Sequence, residues 1–246
     1  MRLSLFRRKP DPDHFTVPCA AGTVRVALRR RSAARRMTLR VSSATGEVTL
    51  SLPESADILA AEKFALAHAG WIAARLAKRP SPVEFRPGQI IPLRGTPHRI
   101  VHWSAVRGLT RAVRDAEGKP IIAVSGEAAH VPRRVADFLK AEARRDLERA
   151  VARHTANLGI PARRIALRDT KSRWGSCSSR GDLNFSWRLI LAPEHVLDYL
   201  AAHEVAHLKE MNHSHRFWAV THRLCPRTEE AEAWLKREGA SLHSYG

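Results

Sequence analysis

Residues 203 to 207 read His-Glu-Val-Ala-His. On a helix, positions four apart project from one face with Cβ atoms about 5–6 Å apart, so His203 and His207 can reach one ion. Glu204 is turned about 100° from His203, which suits a proton acceptor for water beside the ion better than a ligand. Zinc (Zn²⁺) is the expected ion, because it takes imidazole readily and acidifies water toward neutral pH. A neighbouring carboxylate can then accept the proton as a carbonyl is attacked. The setting favours a metal over a core histidine pair. Residues 196–208 are apolar nearly all round, and an unpaired Glu204 in such a helix would be costly, whereas one beside a divalent cation is compensated.

A catalytic zinc keeps three protein ligands and one open position. Downstream lie His213, His215 and His222. Asn212 tolerates the left-handed conformation that ends helices, and His213 follows it directly. Ser214 can cap the next helix, in whose first turn His215 would lie. Geometry leaves both His213 and His215 open, with His213 preferred. The order H-E-x-x-H-x5-H has the ligand spacing of metzincins, but Glu210 stands where their loop glycine would be.

The elements that must position these residues can be read around them. Residues 164–169, 173–178 and 182–187 read as three strands, with a turn at Ser179-Arg180-Gly181 and Leu183, Phe185 and Trp187 on one face. Pro193 opens the active helix, expected to run to about Glu210, and shorter helices follow over 215–224 and 228–238. Upstream, residues 132–158 carry a helical period closed by Gly159 and Pro161. Residues 23–28, 37–41 and 48–52 read as a β-meander, with one amphipathic helix over 53–76 packed on it and further strands between 80 and 124.

The chain has 246 residues and a formal net charge of +18. Eleven basic side chains fall within residues 1–40 against Asp11 and Asp13, which makes the N-terminal part the surface to which nucleic acid would be drawn. Aromatic interleaving of a base-stacking kind is missing there, so the same charge also reads as a device for solubility. Three cysteines, Cys19, Cys177 and Cys225, lie far apart without a C-x-x-C pair, which suits a reducing compartment and argues against a cysteine-built zinc site. No apolar run reaches the roughly 20 residues of a membrane span, and residues 1–10 lack a signal-peptide pattern, so the expected location is the cytoplasm, with no membrane partner.

Several separate motifs, in order, carry a resemblance. These are Lys171-Ser172-Arg173-Trp174-Gly175-Ser176-Cys177, Leu183-Asn184-Phe185, Leu189-Ile190-Leu191-Ala192-Pro193, the motif at 203–208, and Asn212-His213-Ser214 with Phe217-Trp218. Together they resemble the YgjP-like metallopeptidase family, grouped with the SprT-like zincins. The likeness is strong over 165–226 and looser over 23–80, where Arg35-Arg36-Met37-Thr38-Leu39-Arg40, Gly46, Pro53 and Trp71-Ile72 fit the family's N-terminal half. In the related SprT-like pattern the third ligand stands four residues before a phenylalanine, so Phe217 points back to His213. The resemblance implies a small twisted sheet over the active helix, with substrate held as an extra strand along a sheet edge. Residues 173–178 are the candidate rim strand. The alternative has Trp174 and Cys177 filling the core beside the site.

The expected fold class is therefore α+β: a zincin-like catalytic domain over 131–246, preceded by a basic leader over 1–14 and a β-rich basic region over 15–130 with one packed helix. The expected function is a zinc metallopeptidase acting on a protein or peptide substrate, with His203, His207 and His213 on Zn²⁺ and Glu204 as general base. Tyr199 and His222 are candidates for stabilising the oxyanion. The competing reading is a nucleic-acid-associated protein with a structural metal site and an Arg-rich working surface. A structural site would fill the fourth position with a protein ligand and give Glu204 no task.

Overall fold

The structure is a computed structural model that describes residues 12–20, 22–103 and 108–246; the basic leader expected over 1–14 lies outside the described residues up to residue 11. Among the described residues there are six α-helices and three small sheets, a mixed α/β architecture that divides into two compact units, Met1–Arg79 and Pro80–Gly246.

The first unit is one four-stranded sheet and two helices. Its strands are β1 (His14–Cys19), β2 (Gly22–Arg30), β3 (Thr38–Val41) and β4 (Val48–Leu52). The order is β1-β2-β4-β3, with β2 parallel to β4, so the expected meander is not formed. Alternation dictates which face each side chain takes but not which strand lies beside which, and residues 31–37 are long enough to carry the chain past the place that β4 fills. Val26 pairs with Val48 and Leu28 with Leu50 across that parallel register. Val17, Val26, Leu50 and Leu52 are fully buried there against Ala61, Ala65 and Ile72, each large side chain contributing about 1.5–3 kcal/mol. The expected single helix is two: α1 (Ile58–Ala67), capped by Asp57 accepting from the Ala60 amide, and α2 (Ala69–Ala77). His68 breaks the run at φ −104°, ψ 13°, its ring Nδ1 bonding the Phe64 carbonyl at 2.8 Å.

The second unit holds the remaining sheets. Strands β5 (Ile90–Leu93), β6 (Thr96–Trp103), β7 (Arg111–Arg114) and β8 (Pro120–Ser125) form a sheet of order β5-β6-β8-β7. Strands β9 (Arg164–Arg168), β10 (Gly175–Cys177) and β11 (Asp182–Ser186) form another, of order β10-β11-β9. The 28-residue helix α3 (Val131–Leu158) buries Val135, Leu139, Ala143, Leu147 and Val151 in one core with Ile91, Ile100, Ile122, Leu183 and Phe185. Residues 80–130, grouped by sequence with the N-terminal region, are thus packed with the C-terminal elements. Arg94 shows why. Its guanidinium reaches Asp146 and Glu142 on α3, each at 2.7 Å, and its amide donates to the Ile190 carbonyl at 2.7 Å. The turn that aims it places Arg94 at φ 52° and Gly95 at φ 75°, and a Cβ on Gly95 would come within 3.0 Å of Pro193. Pairings this far apart in sequence leave no local trace.

Pro193 precedes α4 (Glu194–Ala206), followed by α5 (His215–Leu224) and α6 (Thr228–Glu238). Helix α4 is buried on most faces, as its composition requires, through Val196, Leu197, Tyr199, Leu200, Ala201, Ala202, Val205 and Ala206. None of the helices formed by described residues is long and apolar enough to cross a membrane.

Candidate metal centre

Helix α4 ends sooner than the sequence suggests, at Ala206 rather than near Glu210. Leu208 and Lys209 donate to carbonyls three residues back, a tightening of the last turn that swings the chain toward His213. Asn212 does not supply a left-handed stop, since Arg94 is the non-glycine residue with positive φ among those described. Ser214 stands at the N-terminus of α5 without a side-chain capping bond.

This chain path brings His203, His207 and His213 together, with one ring nitrogen from each within 4.8 Å of the others. Nε2 of His203 and Nε2 of His213 are 3.1 Å apart. Three nitrogens held tetrahedrally at about 2.0–2.1 Å from a zinc-sized ion stand about 3.3 Å from one another, so the donor set fits. The protonation states fit as well. Burial, helped by His207 and His213, brings His203 down to about 4, which leaves its imidazole neutral near neutral pH. Burial also lowers His207, against the Glu210 carbonyl that favours the charged ring.

The far sides of two rings are held. Nδ1 of His207 bonds the Glu210 carbonyl at 3.0 Å, which points Nε2 toward its neighbours. Nδ1 of His203 lies 3.3 Å from the Tyr199 hydroxyl, which donates to Glu232 at 3.0 Å. Tyr199 therefore stands behind a ring and not over the site, which removes it as an oxyanion candidate. Beneath all three imidazoles lies Phe217, fully buried, with ring centroids 4.4 Å from His207, 4.6 Å from His213 and 4.9 Å from His203. His215 and His222 are exposed on α5, and neither joins the cluster.

Glu204 is 4% exposed, and burial pushes its carboxyl up to about 8, with the charge of Arg173 acting the other way. It lies against Gly175, where a Cβ would stand 2.8 Å from its Cδ and closer still to Oε1. Gly175 begins β10, the terminal strand of its sheet, so the carboxylate is seated at the start of an edge strand. Trp174 and Cys177 pack partly buried against the core, and the Trp174 ring stacks on His243 at 4.6 Å. Burial, then Glu204 and Asp182, pushes the Cys177 thiol up to about 11, which keeps it protonated. Sequence reasoning missed the tasks of Gly175, Phe217 and Glu232. The phenylalanine's four-residue spacing from His213 was the one signal that could have found any of them.

A family model described as the YgjP-like metallopeptidase domain matches residues 35–238. No curated protein matches the chain. Among solved structures the chain is similar to the metallopeptidase zymogen abylysin of Pyrococcus abyssi, at 23% identity and a TM-score of 0.34, over 37% of this chain and 95% of that one.

Proposed function

The chain belongs to the YgjP-like metallopeptidase-domain family, and from that premise we propose that it is a zinc peptidase whose ion is held by His203, His207 and His213. The family implies a metal cofactor and a protein or peptide substrate. The observation that carries the finer reading is the convergence of three imidazole nitrogens beside a buried carboxylate. When bound, zinc supplies Lewis acidity, which acidifies water and polarises a peptide carbonyl.

The chain's own residues do the rest. Glu204 takes a proton from the attacking water on a carboxylate oxygen and returns it to the nitrogen of the departing amine. Burial alone would keep Glu204 protonated near neutral pH, and a dication beside it favours the charged, proton-accepting form. Gly175 leaves room for that carboxylate. Phe217 and the Glu210 carbonyl hold the imidazoles at their working angle. The free edge of β10 is suited to take the substrate backbone as an added strand, its bonds running past Glu204. The unit Pro80–Gly246 is accordingly read as a zincin-like fold, the small sheet β10-β11-β9 lying with the active helix. Three unpaired cysteines support a cytoplasmic setting.

A structural metal site is disfavoured because the cluster holds three ligating residues and no fourth among those described. The deciding experiment measures zinc content and cleavage of an unfolded protein substrate in wild type and Glu204→Gln. The variant should keep about one zinc while turnover falls about a hundredfold or more. His213→Ala should lose both zinc and activity, whereas His215→Ala keeps both. Zinc retained by His213→Ala and lost by His215→Ala would sink the ligand assignment.

A further inference from the structure

We propose that the solvent-facing side of the β1–β4 sheet binds the phosphodiester backbone of a nucleic-acid duplex. The two faces of this sheet are sharply different. One packs Val17, Val26, Leu50 and Leu52 against the helices. The other carries Arg25 and Arg29 on β2 and Arg40 on β3, all exposed. The pairing register sets hydroxyls among these cations: Thr16 opposite Arg25, Ser51 opposite Arg29 and Thr49 opposite Arg40. The open face of the strands bears no carboxylate, Glu47 standing just before β4. Among the described residues, none of the three arginines is in an ion pair, and the side-chain bond of Arg25 goes to the ring of His14 at 3.1 Å. Arg31, Arg35 and Arg36 extend the charge along the exposed link from β2 to β3.

These side chains are the ones that bind phosphate: guanidinium groups with five donors each, interleaved with hydroxyl donors. Arg29 and Arg40 lie two strands apart, about 10 Å across the sheet, a span that covers several phosphates of one strand at about 3.4 Å of rise each. The aromatic residue of these strands, Phe15, is on the packed face, so unpaired bases find no ring on which to stack. What remains for recognition is backbone charge, and its density is highest on a duplex. The surface is small-residued between its arginines, with Ala27, Thr49 and Ser51 forming no ridge that would hold a duplex off.

The test titrates fluorescein-labelled DNA and RNA duplexes of about 20 base pairs with the full chain, following anisotropy across a salt series. Wild type should bind with a steep salt dependence, and the two arms tell which duplex is preferred. The triple variant Arg25→Gln, Arg29→Gln, Arg40→Gln should flatten the log–log slope by about 0.9 for each phosphate that is no longer neutralised, and weaken binding at least about tenfold. The charge-matched triple Arg86→Gln, Arg133→Gln, Lys140→Gln, on the other unit, should leave affinity within about twofold. Arg→Lys at the three sheet positions should keep most of the slope, and the single Gln variants read the same quantity if the triple folds poorly. Equal losses in both Gln triples, or an unchanged slope in the sheet variants, would overturn the proposal. So would tighter binding to oligo-dT, to poly-glutamate or to phosphatidylserine vesicles than to either duplex. Glu204→Gln should bind duplex as wild type does, which separates this surface from the peptidase reading.

Discussion

The two units differ in where their arginines meet acids. In Pro80–Gly246, Arg94, Arg99, Arg144, Arg145, Arg149, Arg153, Arg163, Arg188, Arg227 and Arg237 each sit within ion-pairing reach of a carboxylate. In Met1–Arg79, Arg25, Arg29, Arg31, Arg35, Arg36 and Arg40 are in no ion pair among the described residues, and Arg30 is held by the Pro53 and Glu54 carbonyls. A net charge of +18 therefore hides two kinds of cation. In the second unit Arg94, Arg145 and Arg149 compensate acids that the fold has buried, whereas Arg25, Arg29 and Arg40 of the first face no acid among the described residues and can meet an external anion. The same residue type is structural in one place and a binding group in another, and only its carboxylate neighbours tell the two apart.

The contrast breaks most visibly at Arg94. Replacing it with Met would leave Glu142 and Asp146, 8% and 6% exposed, without their nearest cation. Leaving a buried charge wholly unpaired costs about 3–5 kcal/mol, and since Arg145 and Arg149 stay at 2.9 Å and 2.8 Å from the same two acids, chemical denaturation should show Arg94→Met destabilised by less than that, about 2 kcal/mol. Arg29→Met, on the open sheet face, should stay within about 0.5 kcal/mol of wild type. Comparable losses at the two positions would erase the distinction between the units.

A second test stays inside the second unit and separates site geometry from stability. Gly175→Ala inserts a methyl group into the space that the Glu204 carboxylate occupies. Peptidase turnover should fall by about tenfold to a hundredfold, because a displacement of about 1 Å at a proton acceptor is enough for that. Zinc content should be unchanged, since the three atoms nearest the added methyl group all belong to the Glu204 side chain and none to an imidazole. Zinc lost in parallel with activity would show that the methyl group disturbs the whole helix end.

How far the sequence can be read follows the reach of each interaction. The pairing of His203 with His207 is legible because helical spacing alone sets it, and α5 and α6 because apolar period and polar boundaries agree. Strand β1 escapes such a reading. Its Pro18 looks like a turn signal, yet proline is tolerated on an edge strand, and β1 is the edge of its sheet. A division of the chain near residue 130 fails because the attachment of β5 and β6 runs through Arg94 to α3. The approach of Gly175 to Glu204 joins two elements across the fold, and no periodicity announces it.

The smallest effect concerns the pair that ties α4 to α3, and it resolves whether such pairs act through charge. Asp198 on α4 accepts from Nε2 of His154 at 2.7 Å and from Arg153, both on α3. Burial raises the Asp198 carboxyl, but His154 and Arg153 outweigh it and hold it below the ordinary carboxylate value. A group whose folded pKa is depressed stabilises the fold above its unfolded value of 3.8 and loses that contribution as pH falls through the lower folded value. Asp198→Asn keeps the shape and removes the charge. At pH 7 it should be less stable than wild type by about 1 kcal/mol, since the pair is partly exposed and screened. The gap should close as the pH is lowered from about 4 toward 2, where wild type loses the same charge. Urea midpoints measured for both proteins across that range check it. A gap that stays constant with pH would assign the tie to packing and neutral hydrogen bonds, and would weaken the view that the second unit's paired charges hold its own acids in place.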